Sequence, residues 1–202
     1  KLRATKYVDY DGVTELKYWV FEEMYSSFLK QHLQKNTIRA QGFLQFVQLR
    51  GESLLAFSKF ESRQQGLTIQ AAKDPQFHQY LQWNSYNQLQ QCQKQALDVG
   101  MKIGLMGDLA VGAIKGGAEV EAKKKLFCKK ATIGAPADHF SEQGQNWNLP
   151  AIDPIALRQD NYQHFIELFR ANMSYCGALR IDHVMGMLRL WWCMPDTEGG
   201  AY

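Results

Sequence analysis

Twice in its 202 residues the chain runs from a helical stretch through a glycine and a short apolar segment to a carboxylate, at 74–108 and again at 160–182. That order is the repeating grammar of a parallel sheet, in which each strand is reached through a helix packed on its face. The second instance ends in Gly177-Ala178-Leu179-Arg180-Ile181-Asp182-His183-Val184-Met185-Gly186. Ala178, Leu179 and Ile181 make it a short strand, and alternation with period 2 puts Arg180 and Asp182 on one face. In a parallel α/β barrel that end of a strand is the mouth where chemistry is done. Arg180 would hold Asp182 in the charged form that a nucleophile needs. On spacing alone the ordinary reading is a structural ion pair, since such pairs also perturb carboxylates.

The first instance is built the same way. Asp74-Pro75 is a helix start, an N-cap followed by a proline whose missing N–H costs nothing there. The helix runs through Phe77, Leu81, Leu89 and Leu97 to Gly100, with Trp83 and Tyr86 assigned to the core and its many glutamines to an exposed face. Met101–Met106 then reads as a short apolar strand, with Asp108 just past its end. Asp108 is either a turn aspartate or a second carboxylate in the same mouth. Earlier in the chain, Leu16, Val20, Met24 and Phe28 recur every four positions and predict a buried stripe on a helix over 13–31. Residues 37–64 form a second helical stretch that Gly51 interrupts. A last helix is expected from Asp160, with Tyr162, Phe165, Ile166, Phe169 and Met173 on one face and Gly177 as its stop.

Between the two carboxylates, 108–157 reads as a long irregular connection. A structureless stretch of that length in a compact domain is a functional lid or disordered. Phe127, Phe140, Trp147 and Ile152 favour an ordered lid over a cleft.

Composition removes several classes. Hydrophobic content of 46% with 12% aromatic residues is enough for a core. A net charge of +3 is too mild for nucleic-acid binding, and Lys123-Lys124-Lys125 with Lys129-Lys130 reads as a solvated face. Cys92, Cys128, Cys176 and Cys193 show no metal-site spacing and suggest free thiols in a reducing compartment. The histidines are scattered likewise, so no metal and no cofactor are expected. No apolar run is long enough to span a bilayer, and no signal peptide is visible. No membrane partner is expected, and the default is a cytoplasmic protein.

Four ordered segments add a resemblance. Gly177-Ala178-Leu179-Arg180-Ile181-Asp182-His183 resembles the Arg-x-Asp-His signature of amylomaltases, the 4-α-glucanotransferases of the α-amylase clan. Ile103–Gly112 resembles the strand-end motif before that family's active-site loop. Gly116–Val120 resembles the start of the loop. Gly134–Asp138 with Gly144–Pro150 resembles its substrate-facing part. The likeness is close over 101–202 and weaker before. One departure is Glu121, where the family usually has tryptophan.

The resemblance implies an α/β fold, a portion of a (β/α)₈ barrel with a long active-site loop and helical insertions. Residues 1–202 would be part of one catalytic domain, with 1–100 mainly helical scaffold and 101–202 the strands and loop. A whole barrel takes roughly 250 residues, so a piece of a larger enzyme is expected. The implied activity is transfer of α-1,4-glucan segments between malto-oligosaccharides through a covalent glycosyl-enzyme. Asp182 would be the nucleophile and Arg180 its partner; Asp108, Asp138, Trp147 and His183 would bind sugar. The general acid would lie on the next strand, beyond this chain, since nothing places Asp196 or Glu198 in that role. A hydrolase of the same clan and a non-catalytic carbohydrate-binding or scaffold fragment are the alternatives.

Overall fold

The computed structural model describes residues 2–64, 66, 69–195 and 200–202. Two compact units divide the chain, Lys1–Asn87 and Gln88–Tyr202.

The first unit is helical. Helix α1 (Tyr10–Phe28) is capped by Asp9, whose carboxylate accepts from the Gly12 amide, and a π-helical turn follows at Leu29–Leu33. Thr37 caps α2 (Ile38–Glu61), which kinks at Gly51, where φ is 51° and ψ −134°. Helix α3 (Pro75–Asp98) begins at the predicted proline, with Asp74 accepting from the Gln76 amide, and from Gln88 onward it belongs to the second unit.

The buried stripe of α1 differs from the expected one. Leu16, Val20 and Met24 are exposed, whereas Tyr18 and Phe21 are partly buried and Tyr25 and Phe28 fully so. Both stripes have helical spacing, and the one with larger rings wins because it removes more apolar surface from water. Phe28, Phe43 and Trp83 form a closed triangle of rings, with centroids 5.4, 5.6 and 5.6 Å apart. The Tyr25 hydroxyl donates to Asp74 across 2.9 Å, tying α1 to the start of α3. Burial, reinforced by that carboxylate, raises the Tyr25 phenol above its ordinary range.

The second unit holds two sheets among the described residues. Strands β1 (Met106–Leu109) and β4 (Ala178–Ile181) pair in parallel, with Met106 opposite Ala178 and Asp108 opposite Arg180. Strand β1 therefore starts where the predicted strand was to end. Met101 and Ile103 are exposed, and Gly104 at φ 76° breaks the extended run.

The region 108–157 is not irregular. It contains α4 (Ala118–Ala122) and an antiparallel hairpin of β2 (Phe127–Ala135) and β3 (Gln145–Ile152). Strands β5 (Trp191–Cys193) and β6 (Gly200–Ala201) extend it into a sheet of order β3-β2-β5-β6. Pro150 fits because β3 is an edge strand. Gly134 is obligatory: a Cβ there would lie 1.8 Å from the Gln145 carbonyl. Gly134 and Pro150, residues typical of loops, thus sit within the strands of this sheet. Ala131, Ile133 and Ala151 form its small core, with Trp147, Leu149 and Trp192 against it.

The helix expected from Asp160 forms, and a short helix not expected from the sequence precedes it. Helix α5 (Pro154–Gln159) is capped by Asp153, and α6 (Gln163–Met173) follows Tyr162, whose φ is 58°. The Asp160 carboxylate caps the His164 amide at 3.0 Å. His164 is buried on α6, where Nε2 lies 2.9 Å from Glu119 of α4. Tyr162 and Met173, expected on the packed face, are exposed. Gly177 stands beyond the helix and has another use: a Cβ would sit 2.0 Å from the Ile103 carbonyl.

Candidate active site

The parallel register decides the site. Because Asp108 lies opposite Arg180, and Asp182 follows two residues along the same face, three charged side chains meet at one end of the β1–β4 pair. The ladder continues past the strand through the Asp182 amide, which donates to the Leu109 carbonyl at 2.9 Å. Nη1 of Arg180 donates to both carboxylate oxygens of Asp108, at 2.7 and 2.8 Å. Nη2 donates to Oδ1 of Asp182 at 2.8 Å. The guanidinium therefore grips Asp108 with two bonds and Asp182 with one. Among the described residues, Oδ2 of Asp182 accepts no hydrogen bond.

The side chains of Arg180, Asp108 and Asp182 are 52%, 61% and 44% exposed, so the group is neither sealed in an apolar interior nor detached from its neighbours. Asp108 first, and then Asp182, raises the Arg180 pKa and keeps the guanidinium charged. A carboxylate anchored through one oxygen, with the other open, has the chemistry a nucleophile needs.

The strand end is supported from α3. The Gln93 side chain donates to the Ile103 carbonyl at 3.0 Å and accepts from the Leu105 amide at 2.6 Å. Leu105 in turn accepts from the Gly177 amide at 3.0 Å. Gln90 donates to the Ser174 carbonyl at 2.5 Å. Two glutamines on one helix thus hold the approaches to both parallel strands. Sequence reasoning assigned these glutamines to an exposed face, and nothing in their spacing marks them otherwise.

Two of the remaining expected site residues meet. The Trp147 and His183 rings pack edge to face, with centroids 4.9 Å apart and planes at 83°. The Trp147 indole N–H donates to Gln145 at 2.9 Å. Asp138 is engaged locally: its Oδ1 accepts from the Phe140 and Ser141 amides at 2.8 and 2.7 Å, closing its own turn. Glu121, at the departure from the family pattern, is exposed and pairs with Lys124 at 2.7 Å. Asp196 and Glu198 lie outside the described residues. No described helix is long and apolar enough to cross a membrane.

Comparison with known proteins agrees with the motifs. The profile of the 4-alpha-glucanotransferase family matches residues 62–201. The 4-alpha-glucanotransferase of Haemophilus influenzae is 34% identical over 234 residues, an alignment that takes in 100% of this chain and 34% of that enzyme. That of Mycobacterium tuberculosis is 42% identical over 126 residues, covering 61% of this chain and 17% of its own. Among solved structures, amylomaltase from Corynebacterium glutamicum superimposes with a TM-score of 0.72 at 34% identity, over 80% of this chain and 24% of that one. Streptococcus agalactiae amylomaltase, solved in complex with acarbose, shares the fold with a TM-score of 0.77 at 23% identity, over 96% and 44% of the two chains. The chain spans about a third of the length of its Haemophilus relative. With a family profile over most of its length and this identity across the whole of it, the chain belongs to the 4-alpha-glucanotransferase family.

Proposed function

We propose that these residues supply the nucleophile side of a 4-α-glucanotransferase that moves α-1,4-glucan segments between malto-oligosaccharides. The observation that carries the reading is the single arginine shared by Asp108 and Asp182 at the end of a parallel strand pair. The acarbose complex of the Streptococcus relative supports a sugar cleft in this family. The parallel pair is read as two neighbouring strands of a (β/α)₈ barrel. Residues 1–100 are read as its scaffold and 108–157 as the segment that borders the cleft.

In this reading the open oxygen of Asp182 attacks the anomeric carbon as the glycosidic C–O bond breaks. A carboxyl acid protonates the departing sugar oxygen. The resulting glycosyl ester is resolved by a hydroxyl of the acceptor sugar, whose proton returns to the same acid–base group, so configuration is retained over two displacements. Arg180 keeps Asp182 charged and fixes its first oxygen, Asp108 fixes the arginine, and His183 reaches a hydroxyl of the sugar in transit. Asp138 borders the sugar, and Trp147 stands behind His183 at the cleft. The acid is assigned to a carboxyl group outside residues 1–202. The reaction needs no metal or cofactor, and the enzyme is assigned to the cytoplasm.

Asp182→Asn in the natural polypeptide that contains these residues tests the reading with maltotriose as substrate. Loss of turnover on the order of a thousandfold or more, with unchanged melting, is expected for a nucleophile. Full activity in that variant sinks it. The wild-type products should be glucose and longer oligomers; short oligomers alone would identify a hydrolase.

A further inference from the structure

The position of Trp147 does not match that of a free sugar platform. Its ring lies at the edge of the His183 imidazole, its N–H is taken by Gln145, and its body packs on the small core of the β2–β3 sheet. His183 has its own peculiarity. It sits in the left-handed region, φ 47° and ψ 57°, directly after Asp182 and before a 3₁₀ turn at Val184–Met187. Its carbonyl accepts from the Gly186 amide at 2.9 Å, so the left-handed residue starts that turn. Histidine tolerates this backbone better than most side chains, but at a cost. An edge-to-face ring contact is of the same order and is able to hold it.

We propose that Trp147 is a positioning residue: by gripping the His183 ring it holds the left-handed turn at 183, and so the direction in which Asp182 leaves β4 toward Arg180. The inference rests on the reading of Asp182 as nucleophile. It deepens that reading by tying the antiparallel sheet to the parallel pair through one ring contact. The indole would then act on turnover through Asp182, with little direct share in sugar affinity.

The test uses the natural polypeptide with Trp147→Phe, Trp147→Leu, His183→Ala and the Leu/Ala double variant. Leucine keeps apolar packing without a ring, and phenylalanine keeps a ring. Trp147→Leu should lower kcat by about tenfold or more and move KM by less than about threefold, since small displacements of a reacting group are costly. Trp147→Phe should restore most of the loss. In the His183→Ala background the leucine change should add less than about threefold, as two residues acting through one contact must. Backbone amide shifts of Asp182 and His183 should move in Trp147→Leu and largely return in Trp147→Phe. A leucine variant that raises KM with kcat intact, keeps its full effect without His183, or leaves those amide shifts unmoved would overturn the proposal. The amide shifts do not depend on turnover, whereas Asp182→Asn tests the nucleophile itself, so the two readings fail separately.

Discussion

In the helical unit the residues that count are rings buried against rings, with Phe43 and Phe77 fully out of contact with water and Tyr25, Phe28 and Tyr80 nearly so. In the strand-bearing unit the residues that count are half-exposed charges and amides, and its hydrophobic clusters are small. The first unit is specified by burial, which is non-directional and tolerant of detail. The second is specified by hydrogen bonds of fixed geometry: a guanidinium fork, a glutamine amide spanning two backbone groups, and glycines where backbones nearly touch. Substitutions should therefore divide cleanly, those in the rings costing stability and those around the strands costing geometry.

The largest stability effect is expected from Phe43→Ala. Phe43 is fully buried and packs on both Phe28 and Trp83, so truncation removes ring contacts on two sides. A loss of about 3–5 kcal/mol is expected from denaturant unfolding, as for other buried phenylalanines. In the natural polypeptide that contains these residues, the proposed transfer activity should hold per folded molecule. A cost below about 1 kcal/mol would show that the unit's core collapses around the gap, and would blur the distinction drawn between the two units.

How much of this was readable in the residues follows the same division. Helix existence was legible because period and capping are local: Asp74-Pro75 starts α3, and Gly51 kinks α2. Which face of α1 is buried was not legible, since 16-20-24-28 and 18-21-25-28 both satisfy the period and only the partner surface chooses. The antiparallel sheet in 108–157 was missed for a different reason. Its bulges, an edge proline and the close approach at Gly134 carry the composition of a loop. At the site, the pairing of Arg180 with Asp182 was legible from period 2. The stronger grip on Asp108 was not, because it depends on a register set across 72 positions of sequence. Gln93 gave no local signal at all.

Gln93→Ala comes next in size. Its amide satisfies the Ile103 carbonyl and the Leu105 amide, which flank Gly104, and truncation returns both to water or leaves them unpaired. The Leu105 amide is the partly buried side of the clamp, and an unmade hydrogen bond there costs about 1–3 kcal/mol. Global stability should fall by that amount, and amide exchange should quicken at Leu105, whose amide the clamp holds, and at Gly177, whose amide donates to the Leu105 carbonyl. Unaltered exchange there would mean that β1 and β4 hold their register without the helix, and that geometry in this unit is less demanding than the bonds suggest.

The smallest effect is the sharpest discriminator. Asp138 was expected to face sugar, yet its Oδ1 accepts from two amides of its own turn. Asparagine offers the same carbonyl oxygen in nearly the same place but carries no charge. If the side chain only closes the turn, Asp138→Asn in the natural polypeptide should change stability by less than about 0.5 kcal/mol and leave the kcat and KM of the proposed reaction on maltotriose where they were. If the carboxylate also accepts from a sugar hydroxyl, the loss of charge should raise KM severalfold with stability still unchanged, because hydrogen bonds to charged acceptors are the stronger kind. Asp138→Ala separates the two further: removing the oxygen opens the turn and should cost about 1 kcal/mol, as deletion of a helix cap does. A carboxylate with both roles would show both signatures in the alanine variant and only the KM change in asparagine. That outcome would place one residue on each side of the division, specified by its local turn and used for its charge.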